Sequence, residues 1–342
     1  MKPISPSWLL NLLLIVSIGC GSKSEHDMLT FLKKGNVALK EKNYNEALRY
    51  YQEATQIDST FVDAWNNNGI ALLEMGDVYG AIASFDKAIM HKPDFILAYY
   101  HRSKAFLEAK EPYRSLDDLD FVETYYQDSS FVYFSKGLAY NELDNHTEAI
   151  DAFNKALTLD PQNAEIVINI GTSYYYLKDY DNAKKFLNKG IAMDTFHPFA
   201  YNTLAMIAIE NKDINLAEKY IHKALEQIPS QPYFLNNKGF IFLSKGELDS
   251  AEEFINKAMR ADPYNPWVYR NKGLLSVAQG KFKTGVRLLK KAIEMDDSIP
   301  NIQFDLASAY IANKDNEEAC DLLNSIDEKD ENVMDLLAKN CK

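Results

Sequence analysis

Nine small residues stand 34 positions apart without a slip: Gly35, Gly69, Ser103, Gly137, Gly171, Ala205, Gly239, Gly273 and Ala307. A second small column keeps the same phase, at Ala47, Ala81, Ser115, Ala149, Ala183, Ala217, Ala251, Gly285 and Ala319. Gly, Ala and Ser make up only about a fifth of an average chain, so two such columns are not accidental. The period constrains the fold more than any other feature. A length of 342 residues would otherwise suggest two globular domains. An unbroken repeat instead describes one long array whose units touch only their neighbours. Arrays of this kind are built to hold other molecules rather than to transform them.

The stretch that begins at Ser130 shows what one unit is. Tyr133, Gly137 and Tyr140 fall at i, i+4 and i+7 and share one helical face. Asp144-Asn145 interrupts the pattern, and Ala149, Phe153, Ala156 and Leu157 resume it on a second face. Asp160-Pro161 ends it, because proline cannot continue a helix and disfavours the helical state in the residue before it. Each unit is therefore a helix, a tight turn and a second helix. The small residue in each helix lets the two backbones approach.

This pattern resembles the tetratricopeptide repeat, whose period is 34. Counted from Met28, fourth positions carry Phe31, Trp65, Tyr99, Tyr133, Val167, Tyr201, Leu235, Tyr269 and Gln303. Twenty-fourth positions carry Tyr51, Phe85, Leu119, Phe153, Leu187, Ile221, Ile255, Leu289 and Leu323, and Pro93, Pro161, Pro229 and Pro263 fill the turns between units. The resemblance implies an all-α solenoid, a right-handed superhelix of nine repeats spanning residues 28–333. Residues 334–342 read as a capping helix with Leu337 and Cys341 in phase, since terminal repeats need a polar outer face. Two units depart from the pattern. The third has Val122 and Gln127 in place of Ala and Pro, with Pro112 suited to the first turn of its second helix. The ninth carries Gln303 and Ile326 at positions that are mostly aromatic and mostly small elsewhere.

Residues 1–19 differ from everything after them. Lys2 precedes a largely apolar run from Trp8 to Ile18, too short to span a bilayer and of signal-peptide length. Ser17-Ile18-Gly19-Cys20 resembles a bacterial lipoprotein lipobox, with Ser17 where that family most often has Leu. The resemblance implies lipidation of Cys20, a tether over residues 20–27, and a protein anchored in the cell envelope, in an outer membrane facing the periplasm. An ordinary cleaved signal and an uncleaved anchor are the alternatives. Cys320 and Cys341 would then meet an oxidising compartment. Nothing in the sequence brings them together, so two free thiols are expected rather than a disulfide.

A formal net charge of −12 makes nucleic acid a poor partner, because that affinity rests on Lys and Arg neutralising phosphates. The chain has no phosphate-binding loop, no G-x-S-x-G, no H-E-x-x-H and no C-x-x-C. Its six histidines lack metal-ligand spacing. We expect no enzyme, no cofactor and no metal.

Binding is the expected activity. Positions 2, 5, 9, 12 and 13 of each unit lie about a quarter turn from the face that packs within the repeat. In the family this stripe lines a concave groove where ligands dock. Here position 2 holds Leu97, Phe131, Phe199, Tyr233 and Trp267, and position 5 holds Tyr100, Phe134, Ile168 and Phe304. Aromatic side chains are common anchors of binding hot spots, though each could instead pack against the next repeat. Position 6 carries Asn67, Asn169, Asn237 and Asn271. They resemble the asparagine ladder by which some family members hold the backbone of an extended peptide, since an amide both donates and accepts. Lys104 and Arg270 are nearly the only cations along this groove, which argues against recognition of an acidic carboxyl terminus. The expected role is a membrane-anchored scaffold that docks a peptide segment or helix of an envelope protein. The alternatives are a glycan or peptidoglycan binder using the same aromatics, and a self-associating structural component.

Overall fold

The computed structural model describes residues 10–327 and 329–341, with side chains from Ser24 onward. Among these residues there are 19 α-helices and no strand. In order they are α1 Leu10–Lys40, α2 Tyr44–Ile57, α3 Val62–Glu74, α4 Val78–His91, α5 Ile96–Glu108, α6 Pro112–Glu123, α7 Ser130–Glu142, α8 His146–Leu159 and α9 Ala164–Tyr176. Then follow α10 Tyr180–Met193, α11 Pro198–Glu210, α12 Ile214–Gln227, α13 Pro232–Ser244, α14 Leu248–Ala261, α15 Pro266–Ala278, α16 Phe282–Met295, α17 Ile302–Asn313, α18 Asn316–Ser325 and α19 Glu331–Asn340. They group into two compact modules, Met1–Leu177 and Lys178–Lys342. An array in which each element touches only its neighbours has no single centre for the whole chain to gather round.

The turn inside every repeat is built the same way. Its fifteenth residue takes a positive φ nine times over: at Gly76, Gly246 and Gly280, but also at Lys42, Lys110, Asp144, Lys178, Lys212 and Lys314. The next residue's N–H then reaches back to the carbonyl five residues earlier, as from Asp77 to Leu72, Asn145 to Tyr140 and Glu247 to Phe242, at 2.9 Å each. This left-handed closure satisfies carbonyls that the first helix would otherwise leave unpaired. Second helices often begin on an Asp that caps them. Asp77 accepts from the Gly80 N–H, Asp179 from Asn182 and Asp213 from Leu216. Proline opens α6, α11, α13 and α15, where its missing N–H costs nothing.

The two small columns are the close contacts of the helix pairs. A Cβ at Gly35 would lie 2.5 Å from the Tyr51 ring, at Gly69 2.5 Å from Phe85, and at Gly137 2.4 Å from Phe153. Position 8 thus receives the side chain of position 24 in the same repeat. All nine twenty-fourth residues, from Tyr51 to Leu323, are fully buried.

Two features differ from the sequence reading. Cys320 and Cys341 form a disulfide, with Cα atoms 5.6 Å apart, and are not free thiols. The chain folds α19 back so that Val333, Leu337 and Cys341 pack on Ala307 and Leu323, and this brings the second cysteine to α18. The last helix also starts before residue 334. Its cap is Asp330, which accepts from the Val333 N–H. At the other end, α1 runs unbroken through the residues read as a tether. The side chain of Cys20 lies outside those described. Among the described residues, no helix is long and apolar enough to cross a membrane.

Candidate peptide-binding groove

Exposed apolar side chains recur at the second position of the repeats in each module, interrupted in the first by Asp63 and Glu165. In the first they are Leu29, Leu97 and Phe131. Tyr100 is half-buried and meets Phe131 edge-on, ring centroids 4.6 Å apart, and Tyr126 approaches the same ring at 6.0 Å. Position 5 therefore supports position 2 of the following repeat. Phe134 turns inward, half-buried, with its ring 5.7 Å from Phe153, and Ile168 is buried.

In the second module Phe199 and Tyr233 are each more than half exposed, at 55% and 53%. Phe199 rests edge-on against the buried Phe234 at 5.2 Å, so its position is supported from below. Trp267 is different. It is half-buried and packs on Ala292 and Ile299 of its own repeat and on Ile302 of the next. Of the six aromatic candidates, Phe131, Phe199 and Tyr233 present the most surface, Tyr100 backs one of them, and Phe134 and Trp267 serve largely as packing.

The asparagines are engaged between repeats. Asn237 donates to Asn202 Oδ1 at 2.8 Å, and Asn271 donates to Asn236 Oδ1 at 3.0 Å. Arg270 Nε donates to Asp305 at 2.7 Å in the next step of the same column. Each pair joins position 5 of one repeat to position 6 of the next. Asn271 is only 2% exposed, so it is not presented to a ligand, and its place in a peptide-holding ladder is corrected accordingly. Asn67 accepts from Asn66 at 3.0 Å and donates to Asn36 at 2.8 Å. Asn169 donates to the Glu165 carbonyl of its own helix at 2.9 Å. The sequence signal for these clasps is a polar pair spaced by one repeat plus one residue.

Charged groups near the stripe are largely neutralised. Arg102 is held by Asp118 at 2.7 Å and Asp86 at 2.6 Å. Burial raises the Asp305 carboxyl above its ordinary range, against the pull of Arg270. His101 interrupts the asparagine positions. Burial and then the neighbouring Lys104 push its pKa down to about 4, and its ring stacks on Phe85 at 5.9 Å. No group of three His, Cys, Asp or Glu residues that could hold a metal ion occurs among the described residues.

Comparison with known proteins agrees with this architecture. Models of the tetratricopeptide repeat match residues 35–76, 130–163, 164–197, 202–266 and 276–339, together more than half of the chain. Two of these matches begin on the phase boundaries at residues 130 and 164. No curated protein sequence matches. Among solved structures, the APC/C hetero-tetramer Cut9–Hcn1 aligns with a TM-score of 0.67 at 16% identity, over 90% of this chain and 75% of that one. A tetratricopeptide repeat protein from Parabacteroides merdae aligns at 0.58 and 16% identity, over 72% of this chain and 98% of that one. At such identities the likeness is one of fold.

Proposed function

Because the chain belongs to the tetratricopeptide repeat family, we propose that it is a scaffold that docks a protein segment on the apolar column of its first helices. The observation that carries this reading is the exposure of Phe131, Phe199 and Tyr233 at one repeat position, two of them supported edge-on by neighbouring rings. Exposed aromatics held in a fixed orientation lose little entropy when a partner covers them. The asparagine clasps refine the mode. Amides already bonded to the adjacent repeat offer few groups to an extended backbone, so recognition falls to side chains and favours an amphipathic helix. The lipobox resemblance around Cys20 supports attachment to a bacterial envelope membrane and partners in that compartment.

Two substitutions test the reading. Tyr233→Ser is expected to abolish capture of the partner by a site-specific photocrosslinker at Phe199, with far-UV circular dichroism unchanged. Undiminished capture refutes the groove. Cys20→Ala is expected to move the protein from the membrane fraction to the soluble one, and retention in the membrane refutes lipid anchoring.

A further inference from the structure

On the far side of α13 from Tyr233 and Asn237 lies a cavity of about 520 Å³, lined in part by Leu225, Leu235, Phe254, Lys238, Lys257 and Arg260. The fourth position of a repeat is aromatic in six places, Phe31, Trp65, Tyr99, Tyr133, Tyr201 and Tyr269, and is Leu235 in the seventh repeat, Val167 in the fifth and Gln303 in the ninth. The eighth repeat has a recess of about 460 Å³ at the same register, with Tyr269 in its lining. In three of the repeats with an aromatic fourth residue a lysine at position 26 lies over the ring. Lys87 stands 3.9 Å from the Trp65 centroid, Lys155 5.4 Å from Tyr133, and Lys223 5.2 Å from Tyr201.

Lys257 occupies that same lysine position in the seventh repeat. With no aromatic at position 235, it leans over Phe254 at 4.9 Å and pairs with Glu253 at 2.6 Å. Lys238 also crosses the recess, 4.4 Å from the Phe254 centroid. Lys238 also acts electrostatically on Glu253, and Arg260 makes no ion pair among the described residues. An acidic chain thus carries an apolar recess rimmed by three cations, placed where its sister repeats hold an aromatic ring under a lysine.

We propose that this recess is a docking site for an aromatic side chain presented by an acidic segment of a partner protein. The ring would stack on Leu235 and Phe254 beneath Lys257 and Lys238, restoring the cation–π arrangement of the neighbouring repeats. Carboxylates on either side of that ring would meet Arg260 and relieve its lack of a counter-charge. The lining is apolar at Leu225, Leu235 and Phe254 with three cations beside it, a combination that suits one aromatic side chain flanked by carboxylates. The site does not depend on the groove, and either can fail alone.

Leu235→Tyr is the decisive variant, because it fills the recess with the side chain that other repeats already accommodate. The probe is a fluorescein-labelled peptide of alternating Asp and Glu with one central Trp, titrated with the full chain and followed by anisotropy. The wild type is expected to bind it. Leu235→Tyr, Arg260→Glu, or replacement of the peptide's Trp by Ala should each weaken binding by about tenfold or more, while the Leu235→Tyr protein melts at or above the wild-type temperature. Equal affinity for the Trp and Ala peptides would reduce the site to generic charge and overturn the proposal. So would unchanged binding by Leu235→Tyr, or no binding by the wild type. Preferential binding of phosphatidylglycerol vesicles, lost in Leu235→Tyr, would overturn it in favour of a lipid.

Discussion

Gly137→Ala tests the packing logic of the whole array with a single methyl group. The added Cβ would lie 2.4 Å from Phe153 Cε1 and 2.5 Å from Cδ1, where ordinary carbon contacts begin near ~3.5 Å. Phe153 is fully buried and flanked by Phe134, so its ring cannot swing into solvent. Overpacking of this kind costs about 1–3 kcal/mol. Alanine returns about 1 kcal/mol of helix propensity over glycine, which leaves a net loss of roughly 1 kcal/mol. The array already shows the compensating change. Its three aromatic twenty-fourth residues, Tyr51, Phe85 and Phe153, all face glycine, at Gly35, Gly69 and Gly137, and a larger eighth residue occurs only opposite an aliphatic one, at Ser103, Ala205 and Ala307, although Gly171, Gly239 and Gly273 face aliphatic residues too. Phe153→Leu alone should open a cavity and destabilise. Combined with Gly137→Ala, it should cost less than the sum of the two by about 1–2 kcal/mol. Urea titration of the full chain by circular dichroism gives the totals. Hydrogen exchange of the α7 and α8 amides localises them, because repeat arrays can lose cooperativity. An alanine variant more stable than wild type, or strict additivity in the double variant, would refute the close contact.

Three further outcomes are expected. Lys212 holds a φ of 60° at a position where Gly246 holds 76°. Lys212→Gly should therefore raise the unfolding free energy measured in urea by up to ~1 kcal/mol, and Gly246→Ala should lower it by ~1–2 kcal/mol although a Cβ there meets nothing within 4 Å; the reverse order refutes backbone strain as the cause. Cys320 and Cys341 close a loop of sequence separation 21, so Cys341→Ser should weaken α19 by about 3 kcal/mol and speed its hydrogen exchange while α13 stays protected; unaltered exchange in α19 counts against the disulfide. Burial and the neighbouring Lys104 push the His101 pKa down to about 4, against about 6.5 for an exposed histidine, so the unfolded chain binds the proton first. Stability should fall as pH drops from about 6.5 towards 4, and His101→Gln should flatten that part of the profile; an unchanged slope refutes a buried neutral imidazole.

The helix pairs were legible because their periodicity is written in residue size, and size is what the backbone contact tests. The left-handed turn was legible only at Gly76, Gly246 and Gly280. In five other repeats the same conformation is held by a lysine, and nothing in its side chain announces it. The Cys320–Cys341 bond was not legible, since it depends on the angle at which α19 folds back onto Ala307 and Leu323. The recurrence of aromatics at the second and fifth repeat positions was legible from the period. Their division into Phe199, which is exposed, and Trp267, which covers Ile299 and Ile302, depends on local packing that residue type does not encode.

The polar column beside that stripe has its own logic. A solenoid packed only by apolar surfaces could tolerate a small slip between repeats, because the hydrophobic effect is non-directional. Hydrogen bonds from Asn237 to Asn202, from Asn271 to Asn236 and from Arg270 to Asp305 are directional, and each joins a fifth to a sixth position across one boundary. They are also buried enough that an unpaired member would carry a desolvation penalty of about 1–3 kcal/mol. Register between adjacent first helices is therefore specified by the residues that border the groove. The same register sets the spacing of the exposed aromatics one repeat apart, Phe199 and Tyr233 among them. The asparagines contribute to recognition by holding those rings at a fixed interval, and the rings are left to meet the partner.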